Sequence, residues 1–90
     1  MRYITTNAAS RIPEGTQLLL WMLFDRMRAE RDYLQIFNLS VQNEKQHIRH
    51  HQEQPPWSEE ILFLTDTPVA EKVYIITEGE YSTMMLAEDY

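Results

Sequence analysis

Ninety residues with a net charge of −6 and no cysteine suffice for one small core, and exclude disulfide frameworks, thiolate metal sites, iron–sulfur clusters and cysteine nucleophiles. Apolar residues are 43% of the chain and aromatics 11%, too many for a disordered polymer. The charge is graded, from +2 over residues 1–31 to −1 over 32–57 and −7 over 58–90, where Lys72 alone stands against eight acids; such a chain has no general attraction for nucleic acid.

The first residues, Met1-Arg2-Tyr3-Ile4-Thr5-Thr6, lack the apolar core of a signal peptide. Tyr3 to Thr6 is β-branched and aromatic and predicts a first strand. Asn7 to Arg11 reads as a connecting loop. Ile12-Pro13-Glu14 marks a helix start, with proline in the first turn and an acid at the positive end of the dipole. The pattern predicts a long helix to about Arg31. One stripe, Leu20, Leu23, Phe24 and Met27, forms its core face. A second stripe, Leu18, Met22 and Ala29, lies nearly opposite, so this helix needs cover on two sides, either from the chain's own loops or from another molecule. The longest apolar run, Leu18 to Phe24, is seven residues, against about twenty for a membrane span. A cytoplasmic protein is expected, with residues 1–90 forming one domain.

Tyr33 to Val41 follows as a central strand. It places Tyr33, Phe37, Leu39 and Val41 on one face and Leu34 and Ile36 on the other. Gln42 to Lys45 is a turn of hairpin length, and Gln46 to Glu53 returns antiparallel. Gln54-Pro55-Pro56 ends that strand. Ile61 to Leu64, Val73 to Thr77 and Glu80 to Leu86 complete the strands, the last two as a hairpin around Gly79; the acidic tail Ala87 to Tyr90 is expected to fray. The pattern is α+β: one long helix packed on a mainly antiparallel sheet of about five or six strands.

All three histidines lie within five residues, His47, His50 and His51. On a helix, His47 and His51 would share a face and could grip a metal. On a strand they stand about 13 Å apart and cannot. The segment has Ile48 as its only strong apolar residue and runs into two prolines, so a strand is expected. His47, Arg49 and His51 then face one side and Ile48, His50 and Gln52 the other. The exposed stripe would gain positive charge near the ordinary histidine pKa of about 6.5 and suit an acidic partner. Nothing pairs a nucleophile with a base, no glycine loop cradles phosphate, and the pairs Glu59-Glu60 and Glu78/Glu80 have no reason to be catalytic. No cofactor is expected. Arg26, Arg28 and Arg31 suit the end of the helix dipole and a solvated surface.

Several segments together resemble one family. They are Ile12-Pro13 with Gln17 and Leu20-Trp21, Asp32-Tyr33-Leu34-Gln35-Ile36-Phe37, Gln46-His47-Ile48-Arg49-His50 with Gln52-Glu53 ahead of Pro55, and Thr83-Met84-Met85-Leu86-Ala87-Glu88-Asp89-Tyr90. The order and spacing are similar to domain of unknown function 960, a family of small bacterial proteins. The resemblance spans nearly the whole chain. It implies a compact intracellular α+β domain with no established activity, and carries over no catalytic or binding residues. The residues themselves favour a non-enzymatic protein-interaction module. Its unknown protein partner, or a second copy in a homodimer, would dock on Leu18 and Met22 or on His47, Arg49 and His51. The alternative is a ligand- or metal-binding protein using the His47–His51 strand.

Overall fold

The computed structural model describes residues 1–90. Its elements are β1 (Arg2–Ile4), α1 (Thr6–Arg11), α2 (Glu14–Arg26), β2 (Leu34–Gln42), β3 (Lys45–Gln52), β4 (Trp57–Phe63), β5 (Glu71–Glu78), β6 (Tyr81–Leu86) and a closing 3-10 turn, Ala87–Asp89. The six strands form one sheet in the order β1-β6-β5-β2-β3-β4. The α+β class holds, but the sheet is mixed, because β1 runs parallel to β6 while every other pair of neighbouring strands is antiparallel.

Strand alternation divides the sheet into two unlike faces. Phe37, Leu39, Ile48, Val73, Ile75, Met84 and Leu86 point to one side, where they join Ala8, Ile12, Leu20, Leu23 and Phe24 from the helical segments in one buried cluster. Burying each large apolar side chain contributes about 1.5–3 kcal/mol. The other side carries His47, Arg49 and His51 of β3 opposite Ser40, Asn38 and Ile36 of β2. Ile36 is nevertheless buried, lying in register between His51 and Tyr74. The two-faced reading of β2 therefore holds for Phe37, Leu39 and Ile36, whereas Val41, near the end of the strand, is exposed.

Two helices replace the single long one expected. Asn7 to Arg11 belongs to α1, not to a loop: Thr5 caps it, its hydroxyl accepting from the Ala8 amide at 3.2 Å. Pro13 stands at the cap position of α2 rather than inside it. The α2 helix ends at Arg26, well short of Arg31, because the chain turns extended at Met27. Arg31 reaches back instead. Its guanidinium donates to the Phe24 carbonyl at 2.7 Å and lies 4.2 Å from the centre of the Phe24 ring. One of the carbonyls that every helix end leaves without a partner is thereby satisfied.

Three buried glutamines hold the connections in place. Gln52 Oε1 accepts from the Asp32 amide at 2.9 Å and from Gln35 Nε2 at 2.7 Å, while its Nε2 donates to the carbonyls of Glu30 and Pro55, both at 2.8 Å. These bonds tie the segment after α2 to the β3–β4 connection, which contains a cis Gln54–Pro55 bond. Gln46 does the same for the β4–β5 loop, its Oε1 accepting from the Val69 amide at 2.8 Å and its Nε2 donating to the Val69 carbonyl at 2.9 Å.

The expected fraying of the tail is not what the structure has. Asp89 accepts from the Thr5 hydroxyl at 2.7 Å, from Asn7 Nδ2 at 2.8 Å and from the Leu86 amide at 3.0 Å. Arg11 pairs with Glu88, and the Tyr90 ring meets Tyr74 edge-on. The bonds from Asn7 and Thr5, in that order, hold the Asp89 carboxyl below its ordinary pKa. Its contribution to stability is therefore present above the ordinary carboxylate range and is lost as pH falls through the lowered value.

Two substitutions test this account. Gln52→Ala removes four hydrogen bonds, one of them fully buried, and is expected to cost about 2–4 kcal/mol, read from the midpoint of urea unfolding. In the β2–β3 turn, Asn43 and Glu44 both have positive φ, 50° and 65°. Such turns favour glycine at the second position, so Glu44→Gly is expected to raise stability by about 0.5–1 kcal/mol in the same assay.

Candidate functional site

Leu18 and Met22 lie one helical turn apart on the outer side of α2 and are 65% and 51% exposed. Leu20, Leu23 and Phe24 turn the other way into the core. The third residue of that stripe, Ala29, lies beyond the end of α2 and does not extend it. Glu14 and Arg26 occupy the same row one turn to either side, so the apolar pair has an acid at one end and a base at the other. Asp25, beside it, pairs with Arg2, whose guanidinium also lies 4.6 Å from the centre of the Trp21 ring.

The histidine segment is strand β3, and its alternation is the expected one. His47 and His51 are half-buried and Arg49 is exposed, all on the face away from the helices. His47 has Nδ1 3.1 Å from the Ser40 hydroxyl and Nε2 3.5 Å from Glu60 Oε1. His51 Nε2 accepts from Asn38 Nδ2 at 3.0 Å. The two rings are thus engaged with different neighbours, and nowhere do three histidine or carboxylate side chains gather as a metal would require. Burial lowers the His51 pKa first, and the nearby Arg49 and Lys72 lower it further. The bond from Asn38 agrees, since it uses the nitrogen lone pair that protonation would consume. His51 therefore gains its charge at lower pH than an unperturbed histidine would.

His50 is the residue whose importance the sequence concealed. It faces the core fully buried, stacks on Phe37 with ring centres 4.2 Å apart, and meets Trp57 edge-on at 4.8 Å. Its Nε2 donates to Gln35 Oε1 at 2.8 Å, which joins it to the Gln52 network, and its Nδ1 has no partner. Burial, with smaller contributions from His51, Arg31 and Arg26, pushes its pKa down to about 4. Glutamine at positions 35, 46 and 52 gave no sign of burial except its place on the inward parity of β2 and β3. The Arg26–Arg31 group is split by the fold: Arg26 binds both oxygens of Glu59 at 3.1 Å, while Arg31 caps α2.

With this geometry in hand, comparison with known proteins decides the family. The model of a staphylococcal protein of unknown function (DUF960) matches residues 1–89. The chain belongs to this family. A crystal structure of a protein of unknown function from Enterococcus faecalis is similar to it, with a TM-score of 0.89 at 20% sequence identity, over 99% of this chain and 89% of that one. At that identity the likeness establishes the shared fold. Comparison with curated proteins gives no match.

The buried ring predicts how stability follows pH. In the unfolded chain His50 binds a proton near its ordinary pKa of about 6.5, whereas in the folded protein it does so near 4. Its neutral form is fully compatible with the fold above about pH 6.5, and stability falls as pH drops from there toward about 4, by about 3 kcal/mol in all. Urea unfolding across that range measures the slope, and His50→Gln is expected to flatten it even if the variant is less stable at neutral pH.

Proposed function

We propose that this protein is a small, non-enzymatic, cytoplasmic module that docks another protein, or a second copy of itself, through the outer side of α2. The observation that carries this reading is the exposure of Leu18 and Met22 on a helix whose opposite side already fills the core. Large apolar side chains adjacent on one helical face, with charges at both ends of the row, suit a helix-in-groove or helix-on-helix contact. The non-enzymatic part is supported by the most strongly shifted titratable group, His50, being sealed within the core, while Arg2, Arg11 and Arg26 are each paired with a carboxylate. No helix is long and apolar enough to cross a membrane.

Ligand or metal binding by the His47–His51 strand is the alternative, and it has less support. The two rings are held by Ser40, Glu60 and Asn38, so a ligand would have to displace those bonds. Titration with zinc, read by shifts in the His47 and His51 ring resonances, is expected to leave both in place.

Sedimentation equilibrium tests the α2 surface. The wild type is expected to self-associate with rising concentration, or to retain a partner when captured from the native cell. The double variant Leu18→Glu, Met22→Glu is expected to lose either interaction while unfolding within about 0.5 kcal/mol of the wild type, because both side chains are exposed. A monomeric wild type whose captured partners are unchanged by the double variant would remove the proposal.

A further inference from the structure

The sheet ends on one side in β1, three residues long, and on the other in β4, seven residues long and paired only with β3. The outer edge of β4 therefore presents a row of backbone N–H and C=O groups without a strand partner. Long edges of this kind invite another strand, and proteins usually block them with proline, lysine, a bulge or a covering element. From Trp57 to Phe63 this strand has no proline, lysine or bulge, and Pro55 and Pro56 stop just short of it. Its charges are Glu59 and Glu60, and the residues just beyond add Leu64, 80% exposed, and Asp66.

Side-chain sockets accompany the bare edge. A depression of about 400 Å³ is bordered by Trp57 and Ser58 together with Arg49 and His51, and another of about 290 Å³ by Glu60, Ile61 and Leu62 beside His47. Both open mainly on the face away from the helices. On the helix side, Trp57 and Glu59 border a wider cleft beneath the end of α2. A strand laid along β4 sends successive side chains to opposite faces, so it would meet hollows on both.

From these features we infer that β4 is a docking edge for an extended, basic peptide segment of another protein, which adds to the sheet as a seventh strand. Backbone pairing supplies affinity in this mode of recognition, and the flanking hollows supply selectivity. Charge selects the occupant. Arg26 already holds both oxygens of Glu59, whereas Glu60 keeps an exposed carboxylate at the edge, opposite Arg49 in the β3 register and 3.5 Å from His47. A second copy pairing antiparallel about the middle of β4 would set Glu60 against Glu60, and like charges directly opposite are unfavourable. A lysine or arginine in that place is favourable, and apolar residues two positions away would cover Leu62. This surface is separate from Leu18 and Met22, so its fate and that of the α2 contact are independent.

The probe is a labelled synthetic peptide of valine and threonine, as long as β4, with two lysines near its centre, titrated into the full chain. Amide resonances of Trp57–Phe63 are expected to shift in a saturable way. Exchanging the lysines for glutamates is expected to weaken binding about tenfold, and methylating alternate peptide nitrogens to abolish it. In Glu60→Lys the preference between the lysine and glutamate peptides should reverse. Absence of shifts in β4, equal binding of the methylated peptide, or an unchanged preference in Glu60→Lys would each overturn the inference. So would a concentration-dependent dimer whose interface maps to β4.

Discussion

A side-chain amide can make four hydrogen bonds, two as donor and two as acceptor, and buried Gln52 makes all of them. Its partners are the Asp32 amide, Gln35, and the carbonyls of Glu30 and Pro55. Much of the rest follows from that one saturated group. It fixes where the chain goes after α2 and how β2 begins, and it holds the segment between β3 and β4 against both. His50 joins the same network through Gln35, which sets its Nε2 as a donor, while burial makes its protonation unfavourable. An apolar residue at position 52 would bury readily, but would leave loop amides and carbonyls without partners, which is the costlier loss. Gln46 plays the matching part at the other end of β3, where it pins Val69. Connections that elsewhere rely on tight turns are here fastened to the core by amides that project from the sheet itself.

How far the sequence foretold this depended on the range of the interactions involved. The strands β2 and β3 were legible because alternation, a two-residue turn and a pair of prolines are local signals. The face assignment of His47, Arg49 and His51 followed from parity alone. The end of α2 was not legible. Its pattern continues to Arg31, and what stops it is an arginine bonding a carbonyl seven residues earlier and a glutamine reaching Glu30 from twenty-two residues later. The first helix, at six residues, is too short for its periodicity to register, and Thr5 before Asn7-Ala8-Ala9 was its one sign. Burial of Gln35, Gln46 and Gln52 depended on partners in distant loops, which no local pattern contains. Leu18 and Met22 were legible as a surplus of apolar surface, because a helix of this size cannot turn every side inward.

The two faces of the sheet divide the molecule's chemistry. The helices cover one and bring with them nearly all of the apolar burial. The other is a mosaic of tyrosine, histidine and paired charge, in which His47, His51 and Asn38 satisfy each other or their neighbours across the strands. The outer side of α2 and the edge at β4 stand apart from that mosaic. The titratable groups with clear shifts act mostly within the fold: His50 beneath α2, His51 against Asn38, and Asp89 at the seam between the two ends of the chain.

That seam sets an order of events during synthesis. The β1 strand is made first, yet its partner is β6, and Thr5 meets Asp89 across 84 residues of sequence. Contacts of such long separation are slow to close, since the loop entropy is lost before any reward arrives. On the ribosome, α1 and β1 have no sheet to join until the final strand emerges. The α2 helix and the β2–β3–β4 meander can assemble earlier, around the glutamines they share. The earliest strand of the sheet is thus the last to be stitched in, so a break in translation before β6 would leave β1 and α1 adrift.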